Sequence, residues 1–237
     1  NISDGPVAGI AVAKNKNADF DGDGKSDISV FRPDTGVWYA LNSGNGGFSA
    51  VGFGLGSDTI VPGDYDGDGK TDRAVFRSSD GVWHTLLKGF NYFARQFGSA
   101  GDIPAAGDYN GDGKTDIAIW RPSTGVWYIA NSDSRNTYTI IQFGLTGDKP
   151  VPVDFDGDGK TDIAVYRPSD GVWHVLQSSN EAYWAVGFGI STDLPAQGDY
   201  DGDGKAGPAV YRDGTWYLLQ STAGFAAFNF GLAGDIP

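Results

Sequence analysis

The sequence contains no cysteine and no methionine, one glutamate, and few cations. The absence of Cys removes a disulfide scaffold, a zinc–thiolate site, a Cys nucleophile and an iron–sulfur cluster together. No apolar run approaches the roughly 18 residues that a spanning helix needs; the longest near the N-terminus is the seven-residue stretch 7–13. Membrane insertion is therefore not expected. Lys and Arg number 17 against 30 acidic residues, and the net charge of −13 repels nucleic-acid phosphates and anionic lipid headgroups, so neither is an expected partner. With Asn at position 1 and no Met anywhere, the sequence reads as a processed or excised piece of a longer chain. What is present is a globular composition, 40% apolar and 14% aromatic. Of the 30 acids 29 are Asp, a bias toward short-armed ligands and turn residues rather than a generic solvated surface.

The Asp residues recur in order. Five runs stand out: DFDGDGKSD from Asp19, DYDGDGKTD from Asp64, DYNGDGKTD from Asp108, DFDGDGKTD from Asp154 and DYDGDGKAG from Asp199, with starts 45, 44, 46 and 45 residues apart. After each come a short apolar stretch ending in Arg, a Gly turn, a Trp-bearing stretch, a polar loop and a stretch ending in Phe-Gly. Apolar, β-branched and aromatic residues alternate with period two through these stretches, the signature of strands. Three strands follow each Asp run, and a fourth is expected in the stretch that leads into it. Four strands in about 45 residues is the spacing of a propeller blade. Small residues at Ser29, Ala74, Ala118, Ala164 and Ala209 are expected near the axis, where blades approach most closely. The expected fold is all-β, a five-bladed β-propeller with four antiparallel strands per blade, as a single domain over 1–237. An open solenoid competes, but nothing resembles a polar capping repeat. Residues 57–63 recur at 101–107, 147–153 and 192–198, with a copy at 3–9 and a partial copy at 234–237. Segment 1–18, with its extra residues 10–18, is expected to form the seam between the first and last blades.

In DxDxDGxxD, side chains at positions 1, 3, 5 and 9 and the carbonyl at 7 can converge on one cation, while glycine at 6 permits the bend. The candidate ligands are Asp19, Asp21, Asp23, Lys25 and Asp27 in the first run, and Asp64, Asp66, Asp68, Lys70 and Asp72 in the second. The third offers Asp108, Asn110, Asp112, Lys114 and Asp116, and the fourth Asp154, Asp156, Asp158, Lys160 and Asp162. The fifth has Asp199, Asp201, Asp203 and Lys205, with Gly207 where the ninth-position Asp should stand. The lysines would act through their backbone carbonyls. Hard oxygen donors in flexible geometry suit Ca²⁺ better than Mg²⁺ or Zn²⁺, so four to five calcium ions are expected, the fifth site weakest. Position 12 is Val or Ile in every run, which excludes an EF-hand. Turns that bind nothing are the alternative, but 18 carboxylates in five tight turns would repel one another strongly without cations.

On these runs and on Phe53-Gly54, Phe97-Gly98, Phe143-Gly144, Phe188-Gly189 and Phe230-Gly231, the chain resembles an array of FG-GAP/VCBS repeats, the calcium-binding units of integrin α-chain propellers and of many secreted bacterial proteins. The resemblance implies a propeller and calcium, and leaves the partner open.

Each unit also pairs an Arg with a Trp: Arg32/Trp38, Arg77/Trp83, Arg121/Trp127, Arg167/Trp173 and Arg212/Trp216. Blade packing is the expected role, a ring of ligand sites the alternative. His84 and His174 stand where sister units have Tyr39, Tyr128 and Tyr217, so they read as Tyr substitutes. No Ser-His-Asp arrangement, phosphate loop or isolated carboxylate pair appears outside the Asp runs, and no enzyme is expected. The expected function is a non-catalytic, calcium-binding recognition or adhesion module, secreted or on the cell surface, with an extracellular protein or glycan as partner. Variable polar loops at 43–47, 88–92, 132–137 and 178–181 suit recognition. The alternatives are an accessory domain of a secreted glycan-degrading enzyme and a building block of a surface filament or layer.

Overall fold

The structure, a computed structural model, describes residues 18–133 and 138–233. It is a five-bladed β-propeller in which chain-consecutive strands pair antiparallel within each blade. The first blade comprises Ile28–Arg32, Val37–Leu41 and Phe48–Gly52 among the described residues. The second begins with the short strand Thr59–Ile60, followed by Arg73–Arg77, Val82–Leu87 and Asn91–Gln96. The third has Ile103–Pro104, Ile117–Arg121, Val126–Ala130 and Thr139–Gln142. Lys149–Pro150, Ile163–Arg167, Val172–Leu176 and Tyr183–Gly187 form the fourth. Leu194–Pro195, Ala209–Arg212, Thr215–Gln220 and Gly224–Asn229 form the fifth. The strand expected ahead of each Asp run is thus present in blades two to five as two residues, with an isolated bridge such as Gly63 with Asp72 continuing the pairing up to the loop. The expected N-terminal seam lies outside the described residues, apart from Ala18.

One register repeats in every blade. The Trp strand sits third in blades two to five, and in every blade its Trp faces an aromatic of the preceding strand: Phe31 with Trp38, Phe76 with Trp83, Trp120 with Trp127, Tyr166 with Trp173 and Tyr211 with Trp216. The indole Nε1 of Trp38, Trp83, Trp127, Trp173 and Trp216 donates to the carbonyl of the Phe in the same blade's Phe-Gly pair at 2.8–3.0 Å. Satisfying that buried N–H gives the Phe-Gly pair a structural meaning. The chain then turns on the glycine, whose φ at Gly144 is +101°, a conformation that L side chains avoid.

The core lies between blades. Trp83 of blade two packs in one cluster with Ile117 and Ile119 of blade three, Trp127 with Ile163 and Val165 of blade four, and Trp173 with Val210 of blade five. Ala74, Ala118, Ala164 and Ala209 are fully buried on the second strands, which lets neighbouring sheets approach closely. The four Trp residues at 38, 83, 127 and 173 are 0–3% exposed, as a packing role requires, whereas Trp216 of the last blade is half-buried. Among the described residues no helix is long and apolar enough to cross a membrane.

Candidate metal centres

In blades two to five the Asp loop bridges the short first strand and the second strand, and in every loop the first Asp organises the turn. Asp64 accepts the Gly67 amide at 2.7 Å on one oxygen and the Gly69 amide at 2.8 Å on the other. The same pair of bonds recurs at Asp19, Asp108, Asp154 and Asp199. The ninth-position Asp ties the loop shut: Asp162 accepts the Phe155 amide at 2.9 Å and the Ser178 amide at 2.7 Å, with matching bonds at Asp27 and Asp116.

The folded loops bring carboxylates together. One oxygen from each of Asp19, Asp21 and Asp27 lies within 4.8 Å of the others; so do those of Asp64, Asp66 and Asp72, of Asp154, Asp156 and Asp162, and of Asp199, Asp201 and Asp203. Positions 1, 3 and 9 therefore converge in three loops, and positions 1, 3 and 5 in the fifth, where Gly207 removes the ninth ligand. The fifth-position acids Asp23, Asp68 and Asp158 each accept the amide of the following lysine, at 2.8, 3.0 and 2.8 Å, as Asp203 does at 2.9 Å. In the third loop Asn110 replaces an acid and donates to Asp112 at 3.3 Å.

The electrostatics suit a cation. Burial, reinforced by the charges of Asp66, Asp64 and Asp68, outweighs the Tyr65 amide and pushes Asp72 up to about 7. Asp162 is pushed up to about 6, again first by burial, with Asp156 adding to it. Burial also raises Asp64 and Asp154. In the fifth loop Asp201 Oδ1 is buried with no hydrogen-bond partner. A divalent ion would relieve the repulsion and satisfy that oxygen, and an all-oxygen donor set is the chemistry of Ca²⁺. Asp19, Asp21, Asp27 and their counterparts are the side chains that would hold it.

One set of loop partners is not evident from the Asp runs alone. Ser43 Oγ donates to Asp23 at 3.0 Å, Ser132 to Asp112 at 2.6 Å, Ser178 to Asp158 at 3.0 Å and Ser221 to Asp203 at 2.7 Å. In blade two Lys88 Nζ stands 3.2 Å from Asp68 instead. The first residues of the variable loops are therefore props of the carboxylate loops; their signal is a Ser about 20 residues after the fifth-position Asp. The lysines at position 7 also have a visible role, since Lys70 Nζ donates to the Asp21 carbonyl of the preceding blade at 2.6 Å. Restoring the missing ligand by Gly207→Asp meets an obstacle, because a Cβ at that position would clash with the Leu219 carbonyl oxygen.

The arginines lie at the far end of the second strand from these loops. Arg77, Arg121, Arg167 and Arg212 each form a two-pronged pair with Asp58, Asp102, Asp148 and Asp193 of their own blade. The histidines stack on outer-strand tyrosines, with His84 Nδ1 at 2.7 Å from Tyr92 Oη and His174 Nδ1 at 2.9 Å from Tyr183 Oη.

Comparison with curated proteins returns no significant match. Among solved structures the fold is similar to a streptogramin B lyase (9% identity, TM-score 0.57), covering 86% of this chain and 65% of that one. It is also similar to an Agrocybe aegerita lectin that recognises non-reducing terminal N-acetylglucosamine (16%, TM-score 0.58; 89% and 64% covered). A protein of unknown function from Bacteroides caccae is a third (10%, TM-score 0.57; 86% and 72% covered). The chain spans less than two thirds of the length of the first two, and the likeness at these identities is one of fold. A family model described as the FG-GAP-like repeat matches residues 19–75 and 108–165, two stretches that each run from one Asp loop through a Trp strand and a Phe-Gly pair to the second strand of the next blade. The same loop, arginine, Trp strand and Phe-Gly turn recur in all five blades, and together with these matches they support an FG-GAP-like repeat family.

Proposed function

We propose that this propeller is a non-catalytic, calcium-binding module for recognition or adhesion outside the cell, with an extracellular protein or glycan as partner. The observation that carries the calcium part is the convergence of three buried or half-buried carboxylates in each of the loops at Asp19, Asp64 and Asp154, repeated with more exposed acids at Asp199. In this reading the carbonyls of Lys25, Lys70, Lys114, Lys160 and Lys205 complete the ligand sets, and four to five ions bind per chain. Millimolar calcium outside cells suits sites of this class, whose dissociation constants run to roughly 10⁻⁴–10⁻³ M. A secreted or cell-surface location follows from that requirement.

Recognition falls to the loops between the third and fourth strands, since the Trp residues of blades one to four are buried and the arginines of blades two to five are held by aspartates. A lectin of the same fold makes glycans the first class to screen. Titration calorimetry and metal analysis test the calcium part: three or more Ca²⁺ per chain at millimolar calcium, and a melting temperature lowered by chelation, are expected. Fewer than three ions would overturn it. A glycan and protein array, run with calcium and with chelator, tests recognition; hits that depend on calcium and vanish when residues 178–181 are replaced are the expected result.

A further inference from the structure

Four neighbouring blade pairs share one interface. The amides of Thr71, Thr115, Thr161 and Ala206 donate at 2.6–2.8 Å to the carbonyls of Asp19, Asp64, Asp108 and Asp154 in the blade before. The lysine of each later loop lies across the fourth-position glycine of the earlier one, so that a Cβ on Gly22, Gly67, Gly111 or Gly157 would meet it at 2.7–3.1 Å. The Phe of each Phe-Gly pair meets an aromatic on the next blade's outer strand: Phe53 with Tyr92, Phe97 with Tyr138, Phe143 with Tyr183 and Phe188 with Phe225, at 6.2–6.3 Å between centroids.

Between blade five and blade one, none of these relations is formed among the described residues. Gly202, the counterpart of Gly157, has nothing within 4 Å of a built Cβ. Phe230 is 78% exposed and Phe48, the aromatic it should meet, 70%. Val30 is 57% exposed where Val75, Ile119, Val165 and Val210 are 0–1%. Blade five thus presents one half of the repeated interface and blade one the other half.

We propose that the face of blade five carrying Gly202, Trp216 and Phe230 is a docking surface for a further blade of the same repeat type, continuous with this chain, and that the last such blade closes on Val30 and Phe48 of blade one. The four formed interfaces define the chemistry of the occupant: a lysine at loop position 7 to cross Gly202, a Val or Ile at the place of Val30, and an aromatic opening its outer strand to meet Phe230. The four formed interfaces favour a further blade over direct closure, because the faces of blades five and one carry the two complementary halves and both Phe230 and Phe48 stay exposed.

The absence of native cysteine makes the test clean. Val30→Cys and Phe230→Cys, each the sole thiol, are labelled with a maleimide, with Val75→Cys as the buried control. Both surface thiols should react rapidly in the 237-residue chain at all protein concentrations. Appending residues 151–191, which continue the partial copy at 234–237 into one blade-four unit, should slow labelling at position 230 by at least about tenfold. Two or three copies should also protect position 30. Protection of both thiols without any extension would mean that the chain closes on itself or that residues 1–17 cover the seam, and would overturn the proposal. Protection that grows with protein concentration would assign the faces to a second copy, and thiols left reactive at every extension length would show that no blade docks there; either result also overturns it.

Discussion

Asp58 holds Arg77 by two parallel bonds, Oδ1 to Nε and Oδ2 to Nη2, both 2.9 Å, with the carboxylate fully buried and the guanidinium about a quarter exposed. The same carboxylate accepts the Leu55 amide at 2.9 Å, so one side chain joins the Phe-Gly turn of blade one to the second strand of blade two. Such a fork depends on the planar guanidinium, which a lysine cannot reproduce.

Asp58→Asn should therefore cost about 1–3 kcal/mol, because it leaves the guanidinium without its charge partner. Arg77→Lys, which keeps the charge but not the fork, should cost less. Urea unfolding midpoints read both, and an unchanged midpoint for Asp58→Asn would contradict the assignment. Burial pushes Asp58 up, yet the Arg77 fork and the Leu55 amide outweigh it and hold the carboxyl below its usual range. Its contribution is thus present above the unfolded value near 4 and disappears as pH falls through the lowered folded value.

The carboxylate loops should respond to pH in the opposite sense. Asp72 and Asp162 are raised to about 7 and about 6. For a group raised on folding, stability is complete below the unfolded value near 4 and is lost as pH climbs through the folded value. Chelated protein should therefore melt higher at pH 5.5 than at pH 8, and saturating calcium should abolish or reverse that trend. Circular dichroism melts with and without chelator measure it; a chelated protein that melts higher at pH 8 would contradict the picture.

Trp127 is fully buried between blades three and four, and Trp127→Ala should cost about 3–5 kcal/mol. Trp216→Ala, at a half-buried position in the last blade, should cost less. Equal losses in denaturant titrations would mean that Trp216 is packed as deeply as the others.

The weaker loops differ in whether they can be repaired. Asn110→Asp restores a third-position carboxylate on a loop whose backbone matches its sisters, and calcium affinity there should rise. Gly207→Asp should instead destabilise the fifth blade, since its Cβ would be driven against the Leu219 carbonyl. Calorimetry on both variants decides; a tighter fifth site in a fully stable Gly207→Asp protein would refute the steric argument.

Much of the candidate site is legible because it is local. The first, third and ninth positions of a nine-residue Asp loop converge through turn geometry alone, as the Asp64, Asp66 and Asp72 group does. The serine props escape notice because Ser178 reaches Asp158 from 20 residues away, a distance bridged only once the second and third strands pair. The Lys88 partner of Asp68 escapes notice for the same reason, since Lys88 lies beyond the Trp strand.

Sequence alone determined the repeat, the strand alternation, the carboxylate loops and the choice of Trp for the interior, all written within about 45 residues by turn residues and period-two patterning. Tertiary structure decided what depends on contacts between one unit and the next. It assigned the arginines to buried aspartates, laid Lys70 across Gly22, and buried Val75 while leaving its counterpart Val30 exposed. Val30 and Val75 have the same local pattern and differ only in whether a blade stands in front of them, and that is a property of the assembled arc, not of either repeat.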